Sequence, residues 1–161
     1  MQSSILETRL VRWPDEAACA ATARALAARP GLADAFVELH GPLGAGKTTF
    51  VRHLLHALGI AGNIKSPTYA LMEPYAATIG SAAFDISHFD FYRFDDPTEW
   101  EDAGFREVFA NAGLKLVEWP EKAAVLLPRC DLRIEIAPDE PGAARDVRFD
   151  AMTARGEGLL P

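Results

Sequence analysis

The sequence predicts an α/β domain, a three-layer sandwich around a central, mostly parallel sheet with antiparallel additions. Three observations predict it. An apolar segment, AFVELHG (35–41), runs into the glycine-rich stretch GPLGAGKTT (41–49), and an amphipathic helix pattern follows at once. Strand-like and helix-like segments then alternate, the pattern of parallel strands joined by crossover helices. Two further strand-like runs, DLRIEIAP and ARDVRFDAM, flank the turn-forming DEPG and close the chain as a hairpin.

In chain order, residues 4–11 (SILETRLV) alternate as a short strand. Pro14 and Asp15 open an alanine-rich helix, DEAACAATARALAAR, which Pro30–Gly31 stops. Residues 35–41 read as a buried strand. KTTFVRHLLHALG follows as a helix with Phe50, Val51, Leu54, Leu55 and Leu58 on one side and Gly59 as its stop. On its other side His53 and His56 lie three residues apart, a metal-compatible spacing that lacks a third ligand and so reads as two solvent-facing histidines. KSPTYALMEPY (65–75) is a loop entering a strand, and FDISHFDFYRF (84–94) is another strand, with Ile86, His88, Asp90 and Tyr92 on one face. PTEWEDAGFREVFANAG is helical or turn-like, LKLVEW (114–119) is an apolar strand, and 121–127 is a brief helix. No repeat or low-complexity segment interrupts this order, so residues 1–161 are expected to form a single domain whose last few residues fray.

Composition narrows the partners. The chain is 49% apolar and 24% charged, which suits one globular core, and its formal charge of −7 has the wrong sign for gripping nucleic acid through its own phosphate contacts. If the protein serves an RNA-handling machine, another subunit holds the RNA. Cys19 and Cys130 are isolated, are expected on a helix and a strand, and read as reduced core residues. The N-terminus lacks a basic stretch followed by an apolar run, and no segment approaches the roughly 18 apolar residues of a membrane span. A soluble cytoplasmic protein is expected.

The chemistry starts at Gly41, Gly46, Lys47 and Thr48, which satisfy G-x-x-x-x-G-K-[ST]. Glycines let the backbone curl so that successive N–H groups point at phosphate oxygens, and the following helix adds its positive N-terminal end. Lys47 can reach the β- and γ-phosphates, and the Thr48 hydroxyl can take a position on Mg²⁺. A strand before and a helix after are what this P-loop demands, so the chain is expected to bind a nucleoside triphosphate in a P-loop NTPase-like fold.

A P-loop also needs a carboxylate from a neighbouring strand. Two positions compete. Glu118 closes an apolar strand, so its side chain emerges at the C-terminal edge of the sheet, where ligands of open α/β sheets gather. Asp90 shares a strand face with His88. Thr68, in SPTY, stands where a switch hydroxyl could sense the γ-phosphate.

Taken together, GPLGAGKTTF, KSPTYALMEPY, HFDFYRF, EDAGFREVF and LVEWPEKAAVLLP, in this order, resemble the bacterial TsaE (YjeE) family over about residues 14–150. The P-loop is generic, whereas SPTY with H-x-D-x-Y-R and V-E-W-P is far more specific. That family is the ATPase component of the machinery that makes threonylcarbamoyladenosine in tRNA. The resemblance implies Mg²⁺-dependent ATP binding and slow hydrolysis that matters in complex with TsaB and TsaD subunits. It also implies that Leu43, Gly44, Ala45, Gly46, Lys47, Thr48 and Thr49 wrap the phosphates and that Thr48 and Glu118 ligate Mg²⁺. Asp90 would serve hydrolysis, orienting water, and Thr68 would be the switch hydroxyl. One departure is Cys19-Ala-Ala-Thr22-Ala23, where the family usually carries Thr-x-x-Leu-Gly near the nucleotide base.

Other readings of a P-loop remain in view. A small-molecule kinase carries an arginine-bearing lid, and no such arginine cluster is visible. A GTPase carries Asn-Lys-x-Asp, which is absent. A nucleotide-gated binding module with little hydrolysis overlaps the favoured reading. The acidic residues Asp95, Asp96, Glu99, Glu101 and Asp102 read as a solvated loop and helix start.

Overall fold

The computed structural model describes residues 4–67, 70–139 and 142–161. Thr68, the expected switch hydroxyl, lies outside the described residues, as do the two central residues of the DEPG turn. The strands are β1 (Glu7–Trp13), β2 (Phe36–His40), β3 (Met72–Ile79), β4 (Ala82–Asp90), β5 (Leu114–Glu118), β6 (Leu132–Pro138) and β7 (Arg145–Ala151). The helices are α1 (Glu16–Ala27), α2 (Lys47–Ala57), α3 (Pro97–Asp102), α4 (Phe105–Ala110) and α5 (Ala154–Glu157).

All seven strands form one sheet in the order β1-β7-β6-β2-β5-β4-β3. β2 runs parallel to both β5 and β6, and β4 runs parallel to β5. The pairs β1–β7, β6–β7 and β3–β4 are antiparallel. The expected mixed sheet with a parallel centre is therefore observed, and the buried central strands explain why 35–41 and 114–118 carry near-continuous apolar runs.

Alternation along the strands divides the interior in two. Val37 and Leu39 of β2, Ile86 of β4 and Leu114 and Leu116 of β5 pack with Leu26 of α1 and Phe50, Leu54 and Leu55 of α2. On the opposite face, Phe36, Phe89 and Val117 meet Trp100 of α3 and Phe105 of α4. That second layer is an aromatic stack: Phe89 lies 4.8 Å from Phe109 in offset-parallel fashion and meets Phe105 edge-on at 5.1 Å, while Phe109 stacks on Trp100 at 5.5 Å.

Four details depart from the sequence reading. β4 ends at Asp90, so Tyr92 is not a strand residue; the Asp90 carboxylate accepts the Tyr92 amide at 2.9 Å and turns the chain out of the sheet. The segment 121–127 is a 3₁₀ turn over Pro120–Ala123 rather than a helix. Cys130 is buried in the connection before β6, not on a strand. The C-terminal residues do not fray: Thr153 caps α5 by accepting the Gly156 amide, and Leu159 and Leu160 are buried in the α1/α2 core.

Candidate nucleotide-binding site

The glycine loop leaves β2 at the centre of the sheet and enters α2, whose first turn has no side-chain cap. Its leading N–H groups are thus left for an external acceptor. Two glycines are required by geometry. A Cβ on Gly41 would stand 2.5 Å from the Ile136 carbonyl oxygen of β6, and Gly46, with φ +111°, begins the helix in a conformation that disfavours side chains. The loop is held from outside by Arg145 of β7, whose Nε donates to the Ala45 carbonyl at 2.7 Å.

Residues 43–49 line one wall of a cavity of about 490 Å³ that Ser66, Asp90, Glu118 and Trp119 close from the other side. Asp90 and Glu118 are directly opposed in the β4–β5 register, at the C-terminal ends of adjacent parallel strands. Glu118 is 2% exposed. Its Oε1 accepts the Thr48 hydroxyl at 2.8 Å, and its Oε2 pairs with His88 Nε2 at 2.7 Å. Ser66 donates to Asp90 Oδ2 and approaches Glu118 Oε2 at 3.4 Å. Both candidate carboxylates therefore converge on one place, with Thr48 between Glu118 and the loop.

Lys47 is 5% exposed. Its ammonium donates to the Gly41 carbonyl and lies 3.6 Å from the centre of the Trp119 ring. Burial pulls its pKa below the ordinary lysine value, against the attraction of Glu118, Glu121 and Asp90. A multiply charged anion entering the cavity would add to the counter-charge that these carboxylates already supply.

The donor set suits Mg²⁺. Thr48 Oγ1 and Glu118 Oε1 are hard oxygen ligands already adjacent beside the phosphate loop, and Mg²⁺ is usually bound through one or two protein oxygens plus substrate phosphates and water. Among the described residues, no group of three or more His, Cys, Asp or Glu side chains makes a dedicated metal cage. His53 pairs instead with Glu16 at 2.8 Å and His56 with the Gly62 carbonyl at 3.0 Å.

Backbone strain gathers here as well. Among the described residues, Leu71 and Trp119 are the non-glycine residues with positive φ, at +64° and +56°. Leu71 supplies the carbonyl that receives the Asp90 amide, and Trp119 directly follows Glu118. Such strain persists where surrounding structure fixes a site.

The four residues expected from the sequence, Asp90, Glu118, Lys47 and Thr48, line one cavity, and three residues not singled out from the sequence as site members contact them or the loop. Ser66 sits in the same SPTY stretch that drew attention to Thr68; its own hydroxyl was the available signal. His88 was placed on the Asp90 face without a partner, because a cross-strand contact depends on the β4–β5 register. Arg145, about a hundred residues from the loop it holds, left no local signal. No described helix is long and apolar enough to cross a membrane.

Comparison with known proteins places the chain in a family. The family model described as "Threonylcarbamoyl adenosine biosynthesis protein TsaE" matches residues 13–147. The Haemophilus influenzae tRNA threonylcarbamoyladenosine biosynthesis protein TsaE is 42% identical over 124 residues, 77% of this chain and 75% of that protein. The Bacillus subtilis protein of the same description is 36% identical over 148 residues, 91% of this chain and 86% of its own. The crystal structure of Bacillus subtilis YdiB superposes with a TM-score of 0.75 at 27% identity, covering 98% of this chain and 94% of that one. A match of this extent, over the P-loop and both carboxylate strands, means that the chain belongs to the TsaE family.

Proposed function

We propose that the protein binds ATP with Mg²⁺ and hydrolyses it slowly, in support of tRNA adenosine threonylcarbamoylation by a multi-subunit cytoplasmic complex. The observation that carries this reading is the Thr48–Glu118 hydrogen bond, which joins the phosphate loop to a buried strand-end carboxylate at 2.8 Å. Family membership supplies the process, and the P-loop supplies the ligand class.

In this reading, residues 43–49 wrap the phosphates and Lys47 leaves the Gly41 carbonyl and the Trp119 ring for the β- and γ-oxygens. Thr48 and Glu118 would hold Mg²⁺, which when bound would neutralise phosphate charge. Asp90 orients the attacking water. Its carboxylate is aimed by two donors, the Ser66 hydroxyl and the Tyr92 amide. Thr68 serves as the switch hydroxyl. The base enters the cleft of about 150 Å³ between Trp13, Asp15 and Cys19 on one side and Ala45, Gly46 and Thr49 of the loop on the other. The partners are TsaD-like and TsaB-like subunits. With a formal charge of −7, this chain leaves the tRNA to them.

The test is ATP affinity with and without Mg²⁺, together with phosphate release alone and in the reconstituted complex. Mg²⁺-strengthened binding and partner-stimulated release are expected. Absence of ATP binding refutes the reading, and binding without any partner-stimulated release leaves a nucleotide-gated module in its place.

A further inference from the structure

We infer that His88 is a positioning residue for Glu118, dividing the two carboxylate oxygens so that only one faces the nucleotide; this rests on the reading that Glu118 holds Mg²⁺. His88 stands opposite Leu116 in the β4–β5 register, on the side of the sheet that packs against α2, and is 0% exposed. Among the described residues, its side chain makes one hydrogen bond, to Glu118 Oε2 at 2.7 Å. A carboxylate acceptor at that distance assigns the hydrogen to Nε2. Glu118 Oε1, the other oxygen, meets Thr48.

The terminal torsion of a glutamate is soft, so an unheld carboxylate at a strand end samples many orientations. With Oε2 tied inward to His88, the group is fixed with Oε1 on the Thr48 side. A metal-ligating carboxylate oriented by a buried donor behind it is how outer partners set affinity.

The other ring nitrogen argues for function over packing. Nδ1 is buried and, among the described residues, has no hydrogen-bond partner. A polar side chain in such surroundings is costly when half satisfied, and its neighbours Ile86 and Leu116 make an apolar residue the natural occupant for stability alone. What the histidine adds is one donor, aimed at one oxygen of the site.

The experiment compares wild type with His88→Leu, His88→Gln, His88→Asn and Glu118→Gln. A fluorescent ATP analogue is titrated in excess Mg²⁺ and again in EDTA, with thermal melting run in parallel. The Mg²⁺-dependent gain in affinity is the readout. In His88→Leu it is expected to fall by about tenfold or more, the usual scale for losing a partner of a metal ligand, while EDTA affinity stays within about threefold. His88→Gln, whose amide nitrogen mimics Nε2, should recover most of the gain, and the shorter His88→Asn should not. If His88→Leu does not melt cooperatively, the Gln and Asn pair carries the same comparison. Equal losses in Mg²⁺ and EDTA, or no rescue by glutamine over asparagine, would overturn the inference. A gain lost in Glu118→Gln but kept in His88→Leu overturns it alone. A wild type without any Mg²⁺-dependent gain overturns the reading of the site as well.

Discussion

Lys47→Ala removes the one ammonium buried against the phosphate loop, and the structure sets what its loss does. Lys47 donates to the Gly41 carbonyl and lies over the Trp119 ring, but burial disfavours its charge. Losing roughly 1 kcal/mol for the hydrogen bond and about 1 kcal/mol for the cation–π contact is offset by relieving a desolvated charge of comparable size. The melting temperature should therefore move by no more than about 4 °C, the shift that ~1 kcal/mol causes in a domain of this size. ATP has no such compensation. A charge-assisted contact to phosphate is worth roughly 1.5–3 kcal/mol, so affinity should fall roughly 10- to 150-fold. Titration with a fluorescent ATP analogue measures this, with melting as the control for folding. Because Lys47 lies on Trp119, the intrinsic emission of the nucleotide-free protein should change too. Affinity within about twofold of wild type in a protein that melts normally would refute the reasoning, since it would mean that the ammonium never leaves Gly41 and Trp119 for phosphate.

Further outcomes follow from the same geometry. Glu118→Gln should weaken Mg²⁺-dependent ATP binding, whereas Asp90→Asn should leave binding near wild type and depress partner-stimulated phosphate release at least tenfold, on the order of a lost acid–base or water-positioning group; the reverse pattern in paired binding and turnover assays would exchange their roles. Gly41→Ala drives a Cβ to 2.5 Å from the Ile136 carbonyl and should cost about 1–3 kcal/mol, read as a lowered denaturation midpoint; an unchanged midpoint would contradict the close approach. Burial pushes the Cys19 thiol from 9.0 up to about 12. The native thiol thus keeps its proton where the unfolded one loses it, so the unfolded state binds fewer protons and stability should fall as pH rises from about 9 towards 12, less so in Cys19→Ala. Below that window, thiol reagents should leave both buried cysteines unlabelled until denaturant is added, and prompt native labelling would contradict their burial. Isolated protein should give no saturable tRNA complex at ~150 mM salt in a gel shift, and a tight one would contradict the charge argument.

Much of this fold was legible because its central strands are nearly all apolar and its P-loop has a fixed grammar of strand, glycines and helix. AFVELHG and LKLVEW announced β2 and β5, and both lie at the middle of the sheet. Glu118 was legible because it ends an apolar run. What stayed hidden depends on long-range register. Nothing local in DISHFD says that His88 will meet a carboxylate 30 positions away, and the same holds for Ser66. The sequence reading carries β4 four residues too far, to Phe94, because Phe91 and Tyr92 continue an aromatic alternation, while Asp90 turns the chain through its own carboxylate. The C-terminus was misread because RGEGLLP looks like a tail, although its two leucines fill a gap beside α1.

The grip of β6 and β7 on the phosphate loop has a consequence for how the protein is made. Gly41 lies against the Ile136 carbonyl, and Ala45 is tied to Arg145, so the loop is seated by chain that is synthesised about a hundred residues after it. A nascent chain that has emerged only through β5 contains the whole P-loop motif, Asp90 and Glu118, yet β2 has lost its β6 neighbour and the loop has lost its outer restraint. Non-local pairings of this kind form late. Nucleotide capture should therefore begin only once the last hairpin leaves the ribosome: ATP binding is expected of the released protein and not of ribosome-bound chains stalled before Arg145.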